Sequence, residues 1–217
     1  YARLLKNYAP RGRMLDIGAA FGTGTEIFRE QGYQVEALET EDNKHRYIEQ
    51  SLGIAVHTSP IEEFLESGAQ PYDLIVFAHC LEHLDRPQRV MKLLPRLLHK
   101  DSILFVEVPL MQEFVSWSDA LFLTHKSNFS ERNLADLATS MGFKILEKTY
   151  FRHTEAEGRD IGLVLQYAPG QPAEAWSGAD LETGDIRELY RLGLQSPPPG
   201  DQPIDYEVPF IEHFFYT

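Results

Sequence analysis

A chain of 217 residues with 33 acidic against 20 basic side chains has a formal net charge of −13, which ill suits gripping a nucleic acid backbone or an anionic membrane. Hydrophobic residues make up 43 %, ordinary for a globular protein and enough for one domain with a full core. A single cysteine, Cys80, excludes an internal disulfide, and the longest apolar run, near residues 74–78, is far too short to span a bilayer.

The N-terminal residues carry no signal-peptide pattern, so a cytoplasmic location is expected. The chain opens on Tyr1 rather than Met, which leaves open what precedes it. No repeat of 20–50 residues is visible. Residues 14–17 form a short apolar run ending in Asp16-Ile17-Gly18. A glycine-rich turn follows, then an amphipathic helix over about 23–31, stopped by Gly32. A second strand over 35–38 ends at Glu39, a polar helix covers about 42–52, and a third strand covers 54–56.

Ser59-Pro60-Ile61-Glu62 reads as a helix start, with Ser59 as cap and Pro60 at the first helical position. The run 74–78 has the continuous apolar character of a strand buried on both faces. A helix over about 87–98 leads to a similar strand at 103–108. Ser130 opens a helix ending near Gly142. Strands at 144–151 and 160–167 close the pattern, joined by a polar turn.

Strands alternating with helices predict a doubly wound α/β fold with a mostly parallel, seven-stranded, Rossmann-like sheet. The last pair, with no helix between, predicts an antiparallel hairpin at one edge. Residues 1–168 are expected to form one domain. Residues 169–217, with Pro197-Pro198-Pro199-Gly200 and an aromatic end at Phe210, Phe214, Phe215 and Tyr216, are expected to be an extension packed on that domain or at an interface.

The stretch Asp16-Ile17-Gly18-Ala19-Ala20-Phe21-Gly22-Thr23-Gly24 joins a strand to a helix, where glycine permits a tight turn and close approach of a ligand to the main chain. The helix N-terminus beyond it favours an anionic group. Glu39, at the end of the next strand, can accept two ribose hydroxyls. A dinucleotide would need G-x-G-x-x-G without a carboxylate beside its pyrophosphate. Here Asp16 stands in that place and Ala20 replaces a glycine, which disfavours a nicotinamide cofactor and suits a nucleoside bearing cationic groups.

In these residues the chain resembles the class I S-adenosyl-L-methionine (SAM)-dependent methyltransferases. Asp16 to Gly24 is similar to their first motif, and Glu39 to their ribose-binding acid. His79-Cys80-Leu81-Glu82-His83-Leu84 resembles the subgroup with an H-x-L-E-H-L signature. Val108-Pro109 and the His125, Phe129, Ser130 element resemble its later motifs. The resemblance covers roughly residues 10–168. It implies SAM as cofactor, contacted by Asp16, Gly18, Ala20, Phe21, Gly22, Glu39 and His79, with Ser59, Pro60 and Ile61 where the family packs the adenine. The extra methyl of Ala20 is expected to shift the cofactor slightly.

His79 and His125 are the candidate catalytic groups, since an imidazole near neutrality can orient an acceptor or take its proton. Glu82 and His83 are expected to begin the following helix and support the pocket. His79-Cys80-Leu81-Glu82-His83 also fits the H-x-x-E-H zinc signature, which needs both histidines on one helix face. A cluster placed directly after a buried strand does not meet that condition, so no metal is expected. The expected reaction is methyl transfer to oxygen, nitrogen or carbon of a small molecule, with sugar and secondary-metabolite pathways suggested by analogy alone. The acceptor pocket is expected from the N-terminal segment, residues 111–128 and the tail. The rival reading is a non-catalytic SAM-fold module acting through a protein partner. A small-molecule acceptor is the expected partner, with no nucleic acid and no membrane, and a homodimer is compatible.

Overall fold

The computed structural model describes residues 1–111, 124–151 and 160–170. The tail beyond 170 and most of residues 111–128, where an extension and an acceptor pocket are expected, lie outside the described residues.

Seven strands form one sheet in the order β3-β2-β1-β4-β5-β7-β6. They are β1 (Arg13–Ile17), β2 (Gln34–Leu38), β3 (Ala55–His57), β4 (Tyr72–Ala78), β5 (Leu98–Pro109), β6 (Phe143–Phe151) and β7 (Asp160–Tyr167). Neighbouring pairs from β3 to β5 are parallel, whereas β7 runs antiparallel to both β5 and β6. The expected doubly wound sheet with an antiparallel edge hairpin is thus what the chain forms.

Side-chain alternation along the central strands sorts the core into two layers. Leu15, Ile17, Ile75, Phe77, Leu104 and Val106 face one way and pack on α4 (Ile61–Glu66), α5 (Pro87–Leu93) and α6 (Glu131–Ser140). Met14, Leu74, Val76, Ile103 and Phe105 face the other way, toward α1 (Ala2–Leu5) and α2 (Thr23–Glu30) through Leu5 and Phe28. A smaller cluster of Ala19, Ala37, Ile48 and Ile54 seats the turn after α3 (Asp42–Tyr47), where Ile48–Leu52 widens into π geometry before Gly53.

Local chemistry departs from expectation at three places. Ser59 caps nothing: Pro60, at ψ 146°, is itself the cap residue of α4, and a proline has no side-chain acceptor to offer. Glu82 and His83 do not begin α5. They form a separate 3₁₀ turn, Leu81–His83, because α5 starts at Pro87, whose fixed φ suits a first helical position. The helix expected to reach residue 98 stops at Leu93 and tightens into a 3₁₀ turn, Leu94–Leu97, since Pro95 lacks the N–H that an α-helix needs. Ser130 does cap α6, closing a reciprocal box with Asn133.

Candidate active site

The strand register brings the carboxyl ends of β1, β2, β4 and β5 to one rim, and β7, running the other way, adds its first residue there. At this rim lie the buried acids of the described residues: Asp16, Glu39, Glu82, Glu107 and Asp160. Burying carboxylates is costly unless something of opposite charge or a hydrogen-bond donor answers them.

The glycine-rich turn is shaped for close contact. Gly18 has φ 74°, and a Cβ there would meet Cys80 Sγ at 2.7 Å and Cβ at 2.9 Å, so β1 and β4 can approach here only through a glycine. Its N–H donates to Leu38 O at 2.8 Å, tying the turn to β2. Ala20 sits at φ 51°, a left-handed conformation that glycine would adopt more cheaply. What holds it is Glu39. Glu39 Oε2 accepts from the Ala20 N–H and Oε1 from the Glu41 N–H, each at 2.9 Å. Each carboxylate oxygen keeps a lone pair, so Glu39 both fixes the turn and presents acceptors at the end of β2.

Asp16 accepts a 2.6 Å hydrogen bond from Thr25 Oγ1. Burial pushes its carboxyl up to about 6, the Thr25 bond opposes that, and Glu39 adds to it. Burial likewise raises the Cys80 thiol to about 12, with Glu82, Glu39 and Asp16 contributing. Tyr1 packs its ring against Phe105 at 5.1 Å between centroids. Its phenol is raised by burial, then by Asp16 and Glu107. Phe21 is half exposed and stands edge-on to Tyr47, with 5.8 Å between ring centroids. Gly22 precedes α2 at φ 75°.

His79 follows β4 and has left regular structure, with φ 49° and its N–H bonded to Glu107 O at 2.9 Å. A strained non-glycine residue at a strand end is the kind of position that functional sites hold. Its imidazole lies 3.6 Å from Glu82 Oε1, 3.7 Å from Asp160 Oδ2 and 4.0 Å from Glu107 Oε1. Burial lowers its pKa, but pairing with Glu82 and the charges of Asp160 and Glu107 outweigh this, and the net direction is upward. His125 behaves oppositely. Burial lowers its pKa, Glu82 resists, and His83 and His79 lower it further. The His83 and His125 rings meet edge to face at 4.9 Å between centroids.

The structure thus gathers Asp16, Gly18, Ala20, Glu39 and His79 at one rim, and places His125 beside His83. Ser59, Pro60 and Ile61 follow β3 at the same end of the sheet, on its far side from β5. Sequence reasoning missed Glu107 and Asp160. Glu107 did carry a signal, a lone acid inside an apolar strand. Asp160 carried none, because only the antiparallel direction of β7 brings it to the rim.

A family model described as a methyltransferase domain matches residues 1–148. A ubiquinone biosynthesis O-methyltransferase of Caulobacter vibrioides is 28 % identical over 98 residues, covering 43 % of this chain and 39 % of that protein. The chain therefore spans about two fifths of the length of that curated relative. Among solved structures, a SAM-dependent methyltransferase from Archaeoglobus fulgidus aligns with a TM-score of 0.66 at 18 % identity, over 76 % of this chain and 90 % of that one. A Burkholderia thailandensis 1,6-didemethyltoxoflavin-N1-methyltransferase, solved with its acceptor and S-adenosylhomocysteine, aligns with a TM-score of 0.62 at 20 % identity, over 77 % and 76 %. These similarities in structure concern the fold.

Proposed function

Because this chain belongs to the methyltransferase-domain family, whose cofactor is SAM, we propose that it transfers a methyl group to oxygen, nitrogen or carbon of a small molecule, and that the rim of β1, β2, β4 and β5 is where it does so. The observation that carries this reading is the set of buried acids around a turn built for a nucleoside. Asp16, Glu39 and Glu107 make a negative pocket, and SAM brings an ammonium and a sulfonium to answer it. The His79-to-Leu84 stretch supports assignment to the H-x-L-E-H-L subgroup.

In this reading Glu39 accepts the ribose hydroxyls through the lone pairs that the turn leaves open. Gly18, Ala20 and Gly22 let the main chain approach, and Asp16 faces the cationic end. Phe21 offers an aromatic face, and Ser59, Pro60 and Ile61 border the adenine. SAM supplies the activated methyl, so the protein's task is alignment and exclusion of water. His79, whose pKa three acids push up against the effect of burial, orients the acceptor and answers their charge. His125, whose pKa burial pushes down, stands on the acceptor side. The Caulobacter relative is named for an O-methyl transfer and the Burkholderia enzyme for an N-methyl transfer, which supports a small acceptor without choosing its atom. No helix among the described residues is long and apolar enough to cross a membrane.

Isothermal calorimetry with SAM and with S-adenosylhomocysteine tests the reading. Both bind the wild type, and Glu39→Gln and Glu39→Ala weaken binding in that order. Failure of both ligands to bind folded protein overturns it.

A further inference from the structure

The 3₁₀ turn after β4 does something the methyl-transfer reading leaves unused. Glu82 is 1 % exposed, and neither carboxylate oxygen accepts a hydrogen bond. His79 Nδ1 and His83 Nε2 stand at 3.6 and 3.9 Å from Oε1, beyond hydrogen-bond reach. A carboxylate so placed has two imidazoles at ion-pair distance but no hydrogen-bond donor on either oxygen.

His83 is turned toward it by its other nitrogen. Nδ1 lies 2.9 Å from Thr124 O, and a carbonyl can only accept, so Nδ1 carries the proton and Nε2 the lone pair. A histidine whose far nitrogen donates to a backbone carbonyl is the usual arrangement of a metal ligand. The third member is delivered by the chain itself. Lys126 and Ser127 N–H groups both donate to Glu82 O, at 2.8 and 3.1 Å, and Lys126 Nζ pairs with Asp85 at 2.7 Å. This pins His125 beside the turn although it is distant in sequence. One ligand atom from each of Glu82, His83 and His125 lies within 4.8 Å of the others. Two ligands on a tetrahedral ion stand ~3.4 Å apart, so the three side chains would draw together on binding.

We propose that Glu82, His83 and His125 form a binding site for a divalent cation of the zinc class, on the acceptor side of the rim. Two imidazoles and one carboxylate leave at least one coordination position for water or for an acceptor oxygen. The H-x-x-E-H motif in the sequence pairs His79 with His83 and expects one helix face. The structure breaks that pairing, and His125 takes the place of His79. The neighbouring trio of His79, Glu107 and Asp160 is set aside, because it offers one imidazole and two carboxylates, a donor set less suited to a cation of the zinc class than two imidazoles with one carboxylate. Placement on the acceptor side rests on the methyltransferase reading; binding of the cation does not.

The test is calorimetric titration of the chelator-stripped, full chain with Zn²⁺, with Co²⁺ absorption as a second readout of imidazole ligation. One equivalent binds the wild type. His83→Ala and His125→Ala each weaken it at least about tenfold, Glu82→Gln does the same, and His99→Ala, outside the cluster, leaves it unchanged. S-adenosylhomocysteine titrations run on the same variants confirm that each is folded. No saturable binding at one equivalent, or equal affinity in the His125→Ala protein, overturns the proposal. A wild type that takes S-adenosylhomocysteine but no zinc counts against the cation site alone. Zinc binding that persists without cofactor binding supports the site and counts against the methyltransferase reading instead.

Discussion

Asp16→Asn should make the protein more stable at alkaline pH while weakening its hold on SAM. Asp16 is buried and its folded carboxyl is pushed from 3.8 up to about 6. The folded state therefore binds this proton more tightly than the unfolded state. Stability falls as pH rises from about 4 through about 6, and is flat above that. About two units correspond to a penalty on the order of 3 kcal/mol at pH 8, of which about 1.4 kcal/mol develops between pH 5 and pH 8. Asparagine carries no charge to bury, and its amide oxygen can still accept the Thr25 hydroxyl. The stability difference, variant minus wild type, should therefore grow by about 1.4 kcal/mol over that interval. Urea unfolding at both pH values measures it. Equal differences at the two pH values would refute the reasoning, whatever their sign. The same variant should bind SAM less tightly at pH 8, a trade of stability against function.

Below pH 6, cofactor binding to the wild type should expel a proton from Asp16, seen as a dependence of the calorimetric heat on buffer ionisation; identical heats in two buffers at pH 5.5 would show that Asp16 does not face the cation. Gly18→Ala should cost about 2 kcal/mol or more, from its φ of 74° and the contact at 2.7 Å with Cys80 Sγ. Cys80→Gly should couple favourably with it by about 1 kcal/mol in a double-mutant cycle, and strict additivity would deny the contact. Cys80, partly buried and raised to about 12, should react with a disulfide reagent at pH 8 more slowly than in the denatured protein; equal rates would contradict its raised pKa. Ser130→Ala should lower stability by about 1 kcal/mol through loss of its capping box, measured by urea unfolding, and an unchanged midpoint would mean the box contributes nothing.

The sheet was legible in the sequence because buried parallel strands announce themselves as continuous apolar runs. Residues 74–78 and 103–108 became the centre of β4 and β5. Asp16, the turn and Glu39 were legible because chemistry and spacing coincide there. The 3₁₀ turn at Glu82 was not, since a short turn before Pro87 has the composition of a helix start. The union of His83 with His125 was also hidden. It depends on backbone hydrogen bonds to Glu82 O from residues far along the chain, and such contacts leave no local pattern.

The direction of β7 has a consequence for how this architecture can change. Phe151 ends β6 and Asp160 begins β7 at the same rim, and the chain leaves β5 there after Pro109 and returns at Thr124. At the opposite end of the sheet the joins between helix and strand are short: residues 31–33, 53–54 and 141–142. Sequence changes between Pro109 and Thr124, or between Phe151 and Asp160, therefore enter at the rim without disturbing the register of any core strand.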